Sequence, residues 1–152
     1  MEEKEVAELR IVIGDYNPEE DTYDIELELT IATNLNGKRI SISAEKTIEA
    51  NISNIVEAVT DTKKKMISTV EKILNDMVRL AEIFERIGAK IIDKAAINNY
   101  IDSVAEESGI IVYHSIAPHA LDNECCVTPR ELRERAERLL RLLQELRARE
   151  AF

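Results

Sequence analysis

Apolar residues recur every seven positions through the middle of this chain. The two interleaved series are Ile52, Val59, Met66, Ile73, Leu80 and Ile87, and Val56, Lys63, Val70, Met77 and Phe84, in which only Lys63 is not apolar. Sustained heptads are typical of a coiled coil or a long bundle helix. The pattern therefore predicts a helix over residues 51–87, about 55 Å long if it is continuous. The segment Thr60-Asp61-Thr62 favours helix ends, which leaves open whether this is one helix or two.

Before this helix, apolar and polar residues alternate. Residues 9–14 predict a short strand, residues 22–33 a half-buried antiparallel strand with one wet face, and residues 38–48 a third strand. The dipeptide Asn36-Gly37 is a strong hairpin signal between the last two strands. Because a meander with one apolar face needs a covering helix, the first third of the chain should pack on helix 51–87.

The rest of the chain continues the mixed pattern. Residues 90–107 predict a second helix, 110–116 a strand, 117–127 a loop and 128–150 a last helix. The predicted fold class is α+β: an antiparallel β-meander of three to four strands packed on long amphipathic heptad-patterned helices, with a C-terminal Arg/Leu-rich helix.

The last helix has a complete start signal and a composition of its own. Thr128, Pro129 and Glu131 form a capping box with proline at the first helical position. Residues 1–126 carry 13 basic and 25 acidic groups, whereas residues 127–152 carry 7 basic and 5 acidic groups. We therefore divide the chain into an α+β domain, 1–127, and a docking or oligomerisation helix, 128–152, which is either native or appended. Its opposite charge favours docking on the body of the chain or on a neighbouring subunit.

The function predicted from these features is self-assembly or adaptor work by protein–protein contact. Two long amphipathic helices offer more apolar surface than a small sheet can cover, so we expect a homo-oligomer, with room for a further protein partner. The residues predicted to mediate these contacts are Leu132, Leu139, Leu143, Leu146, Met66, Ile73 and Leu80.

Charge and motif content argue against several other classes. The net charge of −10 argues against general nucleic-acid binding, which relies on Lys and Arg at phosphates. No apolar run reaches the roughly 18 residues of a membrane span, and the acidic N-terminus lacks the features of a signal peptide, so we expect a cytoplasmic protein without membrane contact. We find no glycine-rich phosphate loop and assign no catalytic residue and no organic cofactor.

One small cluster carries residue types that bind zinc. These are His114, His119, Cys125 and Cys126, all within thirteen positions. Neighbouring cysteines in an extended chain point apart, so the spacing is poor for one tetrahedral site. The alternatives are solvent-facing histidines with cysteines that serve as small apolar side chains, or a redox or intermolecular disulfide role. A Cys–His nucleophile pair would lack a third, orienting group.

Two further charged motifs have simpler interpretations. The oxygen-bearing residues Asp15, Asn17, Glu19, Asp21 and Glu26 match a calcium-loop template. Glu20 stands where that template needs glycine, so we interpret the segment as an acidic hairpin turn. The run Lys63-Lys64-Lys65 is typical of a solvated helix face, and Lys63 lies on the heptad seam, where a charge can set register.

Three alternative functions make different structural demands. An inhibitor or nucleic-acid mimic, such as a viral or mobile-element regulator, would show a contiguous acidic face. A metal-binding protein or small enzyme would show the His/Cys cluster converging at a pocket. A holdase-type chaperone would show a large uncovered apolar patch.

Overall fold

A computed structural model describes residues 5–116 and 125–150 and shows an α+β protein, which confirms the predicted fold class. In chain order the elements are β1 (Val6–Asn17), β2 (Thr22–Leu35), β3 (Lys38–Ala50), α1 (Ile55–Arg86), β4 (Ile92–Asp93), α2 (Lys94–Ser108), β5 (Ile111–His114), β6 (Cys126–Val127) and α3 (Pro129–Glu150).

The main sheet is antiparallel throughout, in the order β1-β2-β3-β5. The β2–β3 hairpin turns on Asn36 and Gly37, whose φ angles of 52° and 77° suit the two central positions of a tight hairpin turn. The first strand is twice as long as predicted. Because β1 pairs with β2, its backbone stays extended as far as Asn17. The residues at this end are mostly polar, and their pattern alone does not indicate a strand.

The heptad segment forms one continuous helix of 32 residues. Thr62 lies inside it without breaking it, and its hydroxyl donates to the carbonyl oxygen of Ala58 at 2.8 Å. The helix begins later than predicted. Residues 52–54 form a turn, held by hydrogen bonds that the Asn51 and Asn54 side chains accept from backbone N–H groups.

The second helix also begins later than predicted, at Lys94, because Asp93 caps it. The Asp93 carboxylate accepts a hydrogen bond from the backbone N–H of Ala95 at 2.8 Å. The residues just before it pair with Cys126–Val127 in a two-stranded sheet, which the sequence analysis did not predict. Strand β5 is the predicted fourth member of the main sheet.

Helix α3 begins with the predicted capping box. The Glu131 N–H donates to the Thr128 hydroxyl at 3.1 Å, and the Thr128 N–H donates to the Glu131 carboxylate at 2.9 Å. The helix runs antiparallel to α1, since Arg133 near its start pairs with Glu85 and Glu150 at its end pairs with Lys63. Of the two docking alternatives, the structure shows α3 on the body of its own chain.

One hydrophobic core joins the inner face of the sheet to the helices. The predicted contact residues Leu132, Leu139, Leu143, Leu146, Met66 and Ile73 are at most 2% exposed in this core, and Leu80 packs against it. In this structure they contact their own chain, because α1 and α3 cover each other and the sheet, and their contact with another molecule stays a prediction. Residues on both sides of the proposed boundary at 127 share this core.

Candidate functional site

The two faces of the main sheet have opposite character. On the inner face, Ile25, Leu27, Leu29 and Ile31 of β2 are fully buried beneath the helices. The alternate residues of β2 point to the outer face, on which the exposed and half-exposed residues carry mainly polar groups. The inner face of the sheet therefore forms one side of the hydrophobic core, and the outer face is an open surface.

The outer face is rich in carboxylates. By strand register its acidic residues are Glu8, Asp24, Glu26, Glu28, Glu45 and Glu49. Glu28 lies directly opposite Glu45, and Asp24 directly opposite Glu49. Like charges at directly opposed positions destabilise a sheet. A cationic partner laid on this surface would relieve that repulsion.

A recess of about 220 Å³ interrupts the outer face beside β1. Its lining residues are Val12, Gly14, Asp15, Asp24, Glu26 and Thr47. Three of them are acidic and none is basic. Gly14 contributes no side chain, and a Cβ added there would approach the Asp24 carbonyl oxygen at 3.3 Å. The recess is thus a small anionic depression at the edge of the sheet.

Apolar side chains stay exposed at one end of the molecule. We define the open end as Ile11, Ile13 and Tyr16 of β1, together with Ile52 and Val56 at the start of α1, all between 39% and 78% exposed. Ile13 pairs with Ile25 and Tyr16 with Tyr23, so the β1 members lie on the inner face of the sheet. The other two follow directly from the end of β3, at the same end of the sheet.

The open end is uncovered because the helices differ in length and position. Lys63 of α1 pairs with Glu150, the last residue of α3, at 3.6 Å. Val56 lies seven residues before Lys63, on the same face of α1 and about two turns further out. The first turns of α1 therefore extend beyond α3, and the β1 residues beneath that end lack helical cover.

Strand β1 is also an edge of the sheet. In the described part of the chain it pairs only with β2, and its central residues Ile11, Val12 and Ile13 are 39%, 40% and 51% exposed. Exposed apolar edge strands invite pairing with another chain, and proteins usually protect them with charges, prolines or bulges. The signal was present in the sequence, because three consecutive apolar residues in an alternating strand place one on the wet face.

The predicted zinc cluster is only partly described. His114 lies at the end of β5, where burial lowers its pKa against the raising effect of Asp102, and its buried Nδ1 has no hydrogen-bond partner. Cys125 and Cys126 are joined by a disulfide, and in that state they offer no thiolate to a metal. His119 lies outside the described residues. Within residues 5–116 and 125–150, no three His, Cys, Asp or Glu side chains converge as a metal site.

The acidic turn is organised by internal hydrogen bonds. The Asn17 side-chain oxygen accepts from the backbone N–H of Glu19 at 3.0 Å, and the Tyr16 hydroxyl donates to Asp21 at 2.6 Å. Asp21 has a φ of 56°, a turn conformation that Asp tolerates. These contacts hold the acidic segment in the conformation of a turn.

Two polar interactions inside the helical layer went unpredicted. Arg135 is 6% exposed and donates to the Ile116 carbonyl oxygen at 2.9 Å and to Glu131 at 3.2 Å. Tyr100 of α2 donates a hydrogen bond to Asp76 of α1. Burial and this hydrogen bond raise the pKa of Tyr100 to about 12. Both interactions join separate elements of the fold to each other.

None of the helices in the described residues has the length and apolar run needed to cross a membrane. Comparisons with protein-family models, with curated proteins and with solved structures found no match. The open end, the β1 edge and the acidic outer face are therefore the features from which a function can be argued.

Proposed function

We propose that this protein is non-catalytic and acts by protein–protein interaction, associating with further copies of itself through the β1 side of the open end. The observation that carries the proposal is the exposure of Ile11, Ile13 and Tyr16 on a face whose other residues form the core. Side chains of this kind lose contact with water when a second chain covers them, which favours association.

The size of the surface supports an interface. Applying the exposed fractions of the five open-end residues to the areas of free side chains gives an apolar surface on the order of 500 Å². The largest apolar patch on a typical monomer is of this size and is often functional. A specific interface buries about 800 Å² on each partner, so the open end would supply somewhat more than half of one side of it.

The test is the absolute mass in solution by light scattering, over a wide range of protein concentration. We expect the protein to be an oligomer and Ile13→Lys to be a monomer, because the substitution places a charge in the buried centre of the contact. The matched control is Ile87→Lys, since Ile87 is 71% exposed at the other end of α1. If the unmodified protein is a monomer at every concentration, the proposal is wrong.

The acidic outer face favours a second candidate function, the binding of a basic protein surface in competition with a nucleic acid. The opposed pairs Glu28–Glu45 and Asp24–Glu49 support it, because a cationic partner would neutralise both. We expect an arginine-rich peptide to bind with an affinity that falls steeply with salt. The variant Glu28→Gln/Glu45→Gln should weaken binding.

The matched control for this candidate removes the same charge from the helices. Glu82→Gln/Glu106→Gln changes two exposed residues away from the outer face. Equal weakening by both double variants would show that net charge, and not the outer face, governs binding. The metal-binding and chaperone alternatives stay predictions, the first centred on the cluster that includes His119 and the second on the open end.

A further inference from the structure

We propose that two copies pair antiparallel through the outer edges of β1, about a two-fold axis at Val12, to form one continuous eight-stranded sheet. This inference rests on the self-association proposed above and names its partner, a second copy of the chain, and its register.

The edge is blocked near its start and distorted near its end. At the start, Arg149 donates a hydrogen bond to the Ala7 carbonyl oxygen at 2.5 Å, and Arg138 pairs with Glu5 at 3.2 Å. At the end, the β1–β2 register shifts between Ile13 and Tyr16. Such a shift bends a strand and ends regular pairing. The regular stretch that remains is residues 9–13, which contains Val12 and borders Gly14 where the shift begins.

An axis at Val12 pairs apolar residues on both faces of the sheet. On the inner face, Ile11 lies opposite the partner's Ile13, and Ile13 lies opposite the partner's Ile11. On the outer face, Val12 meets the partner's Val12. Cross-strand pairs of β-branched residues stabilise a sheet. An axis at Arg10 would instead oppose two like charges, which destabilises the pairing.

The same register also matches charge. Arg10 is the basic residue of β1, and the register places it on the outer face, directly opposite Glu28 of its own chain. With the axis at Val12 it lies opposite the partner's Gly14, which lines the anionic recess. The guanidinium of each copy would enter the other's recess, beside Asp15 and Asp24, and the missing side chain at Gly14 leaves room for it. An axis at Ile11 would place Arg10 opposite the partner's Val12 instead.

Disulfide trapping tests the register directly. In a background of Cys125→Ser/Cys126→Ser, a single Val12→Cys substitution places two thiols on the axis. Directly opposed Cβ atoms are about 4.5–5.5 Å apart, close enough for mild oxidation to link them. We expect a covalent dimer whose yield falls at least tenfold when Arg10→Glu is added.

Thr47→Cys is the matched control, because Thr47 lies in the same row of the outer face, two strands inward from Val12. Two such thiols would be about five strand spacings, roughly 24 Å, apart. We expect no covalent dimer from this variant. Equal trapping of both variants would indicate random collision and would overturn the inference.

The outcomes separate this inference from the proposed function. If light scattering shows only monomer, self-association fails, and the register fails with it. If the protein is an oligomer but Val56→Cys is trapped and Val12→Cys is not, then copies dock face-on through the start of α1. In that case self-association stands and edge pairing is wrong.

Discussion

Leu139 tests whether α3 belongs to the core of its own chain. Its side chain is fully buried between α3 and the rest of the core. Leu139→Ala removes three carbon atoms from a close-packed site and leaves a cavity. Substitutions of this kind lower the free energy of unfolding by about 2–5 kcal/mol, and we expect about 3 kcal/mol for a site with no solvent contact.

The loss is large compared with the whole stability of a domain, about 5–15 kcal/mol. For a chain of this length, 1 kcal/mol shifts Tm by about 2–4 °C, so Leu139→Ala should melt about 6–12 °C lower. The matched control is Leu140→Ala, since Leu140 is half-buried on the next position of the same helix. We expect this control to lose about 1 kcal/mol.

The assay is equilibrium unfolding in urea at two protein concentrations. Because Leu139 contacts its own chain, the difference in unfolding free energy between Leu139→Ala and the unmodified protein should be the same at both concentrations. The reasoning would be refuted if Leu139→Ala left the stability of the monomer unchanged but dissociated an oligomer. The leucine stripe would then contact a second molecule, as the sequence pattern alone predicts.

Three further predictions concern single polar groups. Thr128→Ala should lower the free energy of unfolding by about 1 kcal/mol by removing the capping box, and Thr128→Ser should restore most of it; urea unfolding measures both. Burial lowers the pKa of His114 in the folded chain. Below about pH 6.5 the unfolded chain therefore binds a proton at this histidine more readily than the folded chain does, and the free energy of unfolding falls as the pH falls. His114→Gln should flatten this part of the stability profile between pH 7.5 and 5.5, and an unchanged slope would contradict the assignment. Burial and the hydrogen bond to Asp76 raise the pKa of Tyr100 to about 12, so its contribution is complete below about pH 10 and is lost as the pH rises towards 12. Absorbance titration of the phenols should show one fewer late-titrating group in Tyr100→Phe.

The features predicted correctly from the sequence are those that neighbouring residues decide. Asn36-Gly37 forms its hairpin because both residues tolerate positive φ. Thr128 and Glu131 form their capping box because they stand three residues apart at a helix start. In both cases the interacting groups lie within a few positions of each other, so spacing is sufficient information.

The errors concern contacts between distant segments. The start of α2 was placed too early because the strand pair β4–β6 joins residues more than thirty positions apart. The buried side chain of Arg135 donates to the carbonyl oxygen of Ile116, nineteen positions earlier, and this contact was not predicted. No local pattern reports which backbone groups a fold will leave without partners.

The candidate interaction surface was only half predictable. The sequence indicated that apolar surface would be in excess and that the net charge would be acidic. It assigned the excess to the leucines of α3 and to Met66, Ile73 and Leu80 of α1, and these lie in the core or pack against it. Among the apolar residues that are exposed, Ile11 and Ile13 were assigned to a strand and Val56 to the heptad seam, without any indication that they would lack cover.

By itself, then, the sequence determined the strands of the main sheet, the helices, the Thr128 cap and the faces that must be apolar, because these follow from periodicity and from contacts within one or two turns. Only the tertiary structure decided which apolar face is buried by other residues of the same chain. That depended on α3 running antiparallel to α1 and on its last residue, Glu150, pairing with Lys63, about two turns short of the start of α1. The relative lengths and directions of packed elements are global quantities, and they leave β1 and the start of α1 exposed.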